Sequence, residues 1–218
     1  MPRKQPVFRV IAADPPWHND DQLPGAKRGA SKHYPTMSTE AIAMMPYKDT
    51  ATFPFPRIAD TALLFLWRLS SMVDDALHVV KSWGFTAKSE VVWAKYHPCK
   101  FCRGAGWIGK VNCIVCHTTG CGTPWFGMGR YTRAQHETCI IAARGKMASE
   151  IRAHNIRSVF HAPVPADPQG GARGRHSAKP DRFYTDIVMQ LAAGPYVELF
   201  ARKLRAGWTV LGNQAKGT

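Results

Sequence analysis

A chain of 218 residues, 45% of them apolar, has material for one α/β domain with a sizeable core and too little for two ordinary domains and a linker. Lysine and arginine outnumber aspartate and glutamate by 29 to 15, for a net charge of +14 and a pI near 9.8. That excess points to a polyanionic partner, with a basic enzyme that binds no polyanion as the alternative, while the absence of any run near ~20 apolar residues or of a secretory apolar core predicts a cytoplasmic protein with no membrane partner.

Val7–Ala12 is β-branched and apolar and stops at Asp14-Pro15-Pro16, because proline donates no ladder hydrogen bond; Asp14 is thus expected at the C-terminal end of a strand. Ala62–Trp67 reads as a second, buried strand. Met72–Trp83, after Ser70-Ser71, reads as an amphipathic helix closed by Gly84, and Val91–Ala94 resumes strand character. Thr138–Ala143, the helix-like Arg182–Leu191, Val197–Ala201 and Thr209–Leu211 continue the alternation. This is the rhythm of an open, mostly parallel sheet, which binds ligands beyond the C-terminal ends of its strands. Pro24–Tyr34, Pro98–Tyr131 and Ala162–Pro180 break the pattern and read as excursions. The expected organisation is a single domain over 1–218 with an insertion at 98–131.

In the insertion, Cys99-x-x-Cys102 and Cys113-x-x-Cys116 stand ten residues apart. Two short knuckles at that spacing can bring four sulfurs into a tetrahedron, for which zinc is the natural occupant. His117 or Cys121 could replace a ligand, and paired disulfides are the alternative disfavoured by an intracellular setting. Cys99-Lys-Phe-Cys102-Arg-Gly104-Ala-Gly106 resembles the zinc-binding repeats of DnaJ-type chaperones, although the second pair departs from that repeat; only local knuckle geometry is implied. Cys139, in an apolar run, reads as a small buried hydrophobe. Lys100, Arg103, Lys110, Trp107 and Trp125 suit either contact with nucleic acid or the packing needs of a small module.

Asp14-Pro15-Pro16-Trp17 is the strongest candidate for chemistry. A carboxylate and the Pro15 carbonyl, on a backbone stiffened by two prolines, can accept hydrogen bonds from an exocyclic amine such as that of adenine, whose lone pair must leave the ring to attack a methyl donor. Trp17 offers an aromatic face for the base. A strand-terminating turn with a buried tryptophan is the structural alternative.

The motif does not stand alone. Ala13-Asp14-Pro15-Pro16-Trp17, Tyr34-Pro35-Thr36-Met37-Ser38, Phe65-Leu66-Trp67, Val92-Trp93-Ala94-Lys95, Lys179-Pro180-Asp181, Glu198-Leu199-Phe200-Ala201-Arg202 and Leu211-Gly212-Asn213-Gln214 follow in one order. That order resembles the adenine-N6 methyltransferase family typified by the catalytic subunit of the eukaryotic messenger-RNA adenosine methyltransferase, over nearly the whole chain except the cysteine insertion. The resemblance implies a compact, prokaryote- or phage-like member with a Rossmann-like sheet, permuted motif order and S-adenosylmethionine as donor. It implies cofactor contacts from Asp14, Lys179, Glu198, Phe200, Arg202, Asn213 and Gln214, with Lys179 near the donor's carboxylate and Asn213-Gln214 at its ribose. Trp17 and Tyr34 fall on the substrate side, with Arg173 and Arg175 as phosphate-holding cations. One departure stands out: the family's His-Asn pair after this segment is replaced by Leu204-Arg205, which leaves that corner of the donor site unassigned.

The expected function is therefore S-adenosylmethionine-dependent methylation of adenine N6 in nucleic acid, with a base flipped out of any duplex. DNA is favoured because the chain is compact and shows no separate RNA-binding module. RNA is the alternative polymer, and a non-catalytic nucleic-acid-binding subunit of the same fold is the alternative function. Self-association as a homodimer is left open.

Overall fold

A computed structural model of the chain describes residues 6–18, 35–48, 54–127, 131–165 and 178–212. They form ten strands and three short α-helices in the order β1 (Val7–Ala13), α1 (Thr39–Ala43), β2 (Arg57–Arg68), α2 (Val73–Ser82), β3 (Thr86–Pro98), β4 (Trp107–Ile108), β5 (Val111–Asn112), β6 (Cys121–Pro124), β7 (His136–Arg144), β8 (Val159–Pro163), α3 (Met189–Leu191), β9 (Tyr196–Leu199) and β10 (Trp208–Leu211). The chain divides into two compact units, one of Met1–Glu90, Cys139–Arg152 and Ala192–Thr218, the other of Val91–Thr138 and Ala153–Leu191. The cysteine-rich segment is thus one part of a larger second unit.

In the first unit the strands run in the order β10-β9-β1-β2-β7, and the β10–β9, β9–β1 and β1–β2 pairs are parallel. β1 and β2 are buried on both faces, as parallel strands between covered faces must be. One face of the sheet carries Ile11, Ala13, Leu64, Leu66, Val197 and Leu199 into a core completed by Ile42 of α1, by Ala76, Val79 and Val80 of α2, and by Trp83. The predicted helix matches α2, with Met72 and Trp83 as its caps, Asp74 and Asp75 in the first turn and Lys81 in the last, where each charge favours the helix dipole. Gly84 closes it at φ +77°, a left-handed position that glycine takes without strain. The Arg144 guanidinium donates to the Trp83 and Gly84 carbonyls and lies over the Phe85 ring, filling the space a side chain at position 84 would need.

In the second unit, β3 pairs with β8 in parallel and with β6 in antiparallel fashion. β8 was not expected: Ala162 and Pro163, assigned above to an irregular excursion, are its last two residues, and the Trp93 indole fixes the pairing by donating to the Ala162 carbonyl at 3.0 Å. The strands at β2, β3 and β7 extend beyond the apolar runs that predicted them. The helix-like run Arg182–Leu191 is mostly a π-helix, Phe183–Val188, continued by α3. Cys139 is fully buried. Among the described residues no helix is long and apolar enough to cross a membrane.

Candidate active site

β1 delivers Asp14 where the parallel register predicts. Ala13 lies opposite Leu66 of β2 and Leu199 of β9, and Leu199 lies opposite Leu211 of β10. The next residues, Asp14, Phe200 and Gly212, therefore leave the carboxyl edge of the sheet together beside Trp67 near the end of β2, the edge at which open parallel sheets hold ligands. Asp14 is partly exposed and Pro15 is buried.

The loop after Asp14 is tied down on several sides. The Trp17 backbone N–H donates to the Pro15 carbonyl at 2.8 Å, and its indole N–H donates to the Trp67 carbonyl at 2.9 Å. Met37 N–H donates to the Pro16 carbonyl at 2.8 Å, and His18 N–H donates to the Met37 carbonyl at 2.9 Å. Ser38 then caps α1, and Thr39 donates to Asp75 of α2 at 2.7 Å. The Asp-Pro-Pro-Trp motif and the segment 35–38 thus build one rigid corner. A second carbonyl lone pair remains on Pro15 after it accepts from Trp17.

Trp17 does not present an open aromatic face in this conformation. It is 4% exposed, packed into the core among Ala13, Leu66 and Ile42. This corrects the expectation of a stacking platform: with the indole N–H bound to Trp67, the side chain braces the loop that carries Asp14.

At the neighbouring strand ends, Phe200 takes a left-handed backbone at φ +61°, uncommon for an aromatic residue, and its side chain packs against the core. Ala201 N–H donates to the Leu211 carbonyl at 3.0 Å, and a Cβ at Gly212 would stand 2.4 Å from the Ala201 oxygen. The Glu-Leu-Phe-Ala-Arg segment and Leu211-Gly212 therefore interlock, and only glycine fits at 212. Glu198 is almost fully buried, with its carboxylate 3.1 Å from Arg205 Nε. Arg205, one of the two residues that replace the family's His-Asn pair, is thus the partner of Glu198, a role sequence reasoning missed. Arg202 is partly exposed.

Lys179 belongs to the second unit, where its Nζ lies 3.1 Å from one oxygen of Glu137 while Lys95 Nζ lies 3.3 Å from the other. Burial pushes the Glu137 carboxyl up, but the two ammonium groups outweigh it and hold the carboxyl below its ordinary range. Glu137 was not singled out from sequence; its only signal there is a lone acid at the entry to an apolar strand. Tyr34, Arg173, Arg175, Asn213 and Gln214 lie outside the described residues.

Also in the second unit, the sulfurs of Cys99, Cys102, Cys113 and Cys116 lie within 4.8 Å of one another, all buried and none in a disulfide. Separations of 3.9 Å for Cys99–Cys113 and 3.5 Å for Cys102–Cys116 are close to the ~3.8 Å edge of a tetrahedron with ~2.3 Å metal–sulfur bonds. Burial raises the Cys102 thiol, but the Gly106 and Gly104 N–H groups and neighbouring thiols bring it down to about 7.

The two knuckles repeat one another. Arg103, Gly104 and Gly106 after the first pair, and His117, Thr118 and Gly120 after the second, all have positive φ. Cys99 N–H donates to the Gly120 carbonyl and Cys113 N–H to the Gly106 carbonyl, each at 2.8 Å. The second pair departs from the glycine pattern of the first in sequence and not in shape: His117 and Thr118 accept a left-handed backbone that the sulfur cluster enforces. His117 is exposed and Cys121 starts β6; neither belongs to the four-sulfur cluster.

The MT-A70 family model matches residues 8–100 and 110–214; the unmatched stretch runs from Phe101 to Gly109, through the end of the first knuckle and β4. The chain is 26% identical to the type II methyltransferase M.MunI of a Mycoplasma species, over 95% of this chain and 77% of that one. It is 26% identical to an N(6)-adenosine-methyltransferase MT-A70-like protein of Drosophila melanogaster, over 96% of this chain and 27% of the other. With the human N(6)-adenosine-methyltransferase catalytic subunit METTL3 it shares 22% identity, again over 96% of this chain and 28% of the relative. The chain therefore spans about a quarter of the length of these eukaryotic relatives.

Proposed function

The chain belongs to the MT-A70 family of adenine-N6 methyltransferases, and from that membership we propose that it methylates the N6 amine of adenine in nucleic acid, with Asp14-Pro15-Pro16-Trp17 as the catalytic corner. One observation carries the reading: the shared register of β1, β9 and β10 sends Asp14, Phe200 and Gly212 off the same edge of a parallel sheet.

S-adenosylmethionine, the donor the family implies, supplies an electrophilic methyl group. The residues at this edge suit it, since they combine a carboxylate at Asp14, an aromatic side chain at Phe200 and a cation at Arg202 with a backbone held close by the glycine at 212. Asn213 and Gln214 follow directly and are the groups proposed for the donor's ribose; Lys179 is proposed for its carboxylate. Asp14 and the free lone pair of Pro15 hold the two amine hydrogens, turn the nitrogen lone pair out of the ring and stabilise positive charge as the carbon–nitrogen bond forms. The proton leaves only after attack, when the nitrogen has become acidic, so the first role of Asp14 is orientation and electrostatic stabilisation.

DNA is the polymer we favour, because the relative matched over most of its own length is the type II methyltransferase. RNA is the second polymer, supported by the relatives named adenosine methyltransferases. The intact catalytic motif speaks against a non-catalytic subunit. Zinc is proposed for the Cys99, Cys102, Cys113 and Cys116 site, on the tetrahedral spacing of its sulfurs, and free thiols suit a reducing, cytoplasmic setting. Incubation with labelled donor and matched DNA and RNA oligonucleotides, followed by nucleoside analysis, tests the function; N6-methyladenine in neither polymer would overturn it.

A further inference from the structure

We propose that the β4–β5 ribbon of the cysteine module is a nucleic-acid contact, in which Trp107 stacks on a base and Lys110 holds a phosphate. It rests on the nucleic-acid reading above and adds to it a surface outside the catalytic corner.

Every residue from Trp107 to Asn112 is exposed, with Trp107 58%, Ile108 52% and Val111 70% accessible. The ribbon is a two-stranded sheet of its own, turning through Gly109-Lys110. Both of its feet stand on the sulfur cluster: Gly106 precedes Trp107 and donates its N–H to Cys102 Sγ at 3.2 Å, and Cys113 follows Asn112 and donates to the Gly106 carbonyl. The mount is rigid and the side chains on it are spent on no interior. The module's interior is the four sulfurs, so packing does not explain Trp107. Trp125 differs, being partly buried with its ring tilted against His97 at 4.6 Å, which is packing.

Charge selects the partner. Between Glu90 and Glu137 there is no acidic residue, while Lys100, Arg103, Lys110, Arg130 and Arg133 all fall in that interval. Lys100 and Arg103 neighbour the thiolates and partly offset the dianion that four thiolates and one zinc ion make. Lys110, at the ribbon tip, has no such counter-charge beside it in sequence. A second copy pressed against this face would set like charges together, and lysine is depleted where proteins meet. A strand of phosphates with unstacked bases matches an exposed indole beside a lysine, because every base has a face to stack and every linkage a charge.

The test uses the zinc-loaded full chain and 5′-labelled DNA and RNA oligonucleotides that contain no adenine, so that binding is read without the catalytic pocket's substrate. Trp107→Ala should weaken binding roughly tenfold, the scale of one lost stacking contact, and Trp107→Phe should retain most of it. Lys110→Ala should lower the salt slope of binding by about one. Zinc content and donor affinity, measured alongside, should match wild type, since these side chains are exposed. Unchanged affinity and salt slope in both variants, with methyl transfer to adenine-containing oligonucleotides intact, would overturn the ribbon's role alone. Loss of a dimer in Trp107→Ala with oligonucleotide binding unchanged would assign the ribbon to protein contact and overturn it too. Failure of the wild-type chain to bind either adenine-free polymer while it still methylates adenine-containing oligonucleotides would overturn this proposal alone, and failure both to bind and to methylate would overturn this proposal and the function it rests on.

Discussion

The indole N–H of Trp17 reaches 2.9 Å across to the carbonyl oxygen of Trp67, joining the residue that ends the Asp-Pro-Pro-Trp motif to the far end of β2. The bond is buried, and it makes the position of Asp14 depend on the register of the parallel pair behind it. Trp17→Phe keeps most of the packing and removes the donor. We expect a stability loss of about 1–2 kcal/mol in denaturant unfolding, together with a fall in methyl transfer larger than the fall in donor affinity. Unchanged activity would mean that the loop holds its shape without this bond.

Glu137 is the hub between Lys95 and Lys179. Glu137→Gln removes the carboxylate that faces both the nearly buried Lys179 ammonium and Lys95, and should cost up to roughly 3 kcal/mol, the scale of breaking a buried pair. Because the folded carboxyl titrates below its ordinary range, its contribution is complete above that range and is lost as pH falls through the folded value. Wild-type unfolding midpoints should therefore drop steeply below about pH 4, and those of Glu137→Gln less so. Equal acid sensitivity in the two proteins would remove the hub from the account.

If the four-sulfur cluster holds the proposed ion, metal analysis should find about one zinc per chain. Cys102→Ser should lower zinc content and loosen the module in hydrogen exchange before the first unit responds, since the core around β1 and β2 contains none of these sulfurs. Full zinc occupancy in that variant would pass the ligand role to His117 or Cys121.

Gly212→Ala forces a methyl group to within 2.4 Å of the Ala201 oxygen and must displace the end of β10. If Asn213 and Gln214 hold the donor's ribose, donor affinity should fall about tenfold, comparable to the ~1–3 kcal/mol expected for each hydroxyl left unpaired in Asn213→Ala with Gln214→Ala. Calorimetry reads both. Wild-type donor affinity in the two variants would move the cofactor away from this strand end.

How much of this was legible beforehand differs by element. β1 and the sheet edge at Asp14 were readable because two prolines end a strand at a definite residue, and α2 because its apolar period and Gly84 bound it, although Met72 and not a serine stands at its N-cap. The four-sulfur cluster followed from spacing alone. β8 was hidden because Val159–Pro163 is short and half exposed, and its partner, the Trp93 region of β3, is distant in sequence. The π-helix was hidden because ten residues cannot separate its period from that of an α-helix. Trp17 was read as a platform because sequence shows an indole but not its burial, and the Glu198–Arg205 and Glu137–Lys179 pairs were missed because an ion pair between separate elements leaves no local pattern. The likeness of the two knuckles was missed because Thr118 stands where the first has Gly104, and only the backbone shows that both are left-handed.

The most direct test of the account is single-turnover methyl transfer by Asp14→Ala and Asp14→Asn on an adenine-containing oligonucleotide, with donor affinity measured on the same preparations. Asp14→Ala should lose at least about a hundredfold in rate, the scale of removing one preorganised electrostatic contact, while still binding donor measurably. Asp14→Asn, which keeps an acceptor oxygen without the charge, should fall between. Wild-type turnover in Asp14→Ala would contradict the placement of the chemistry at this strand end.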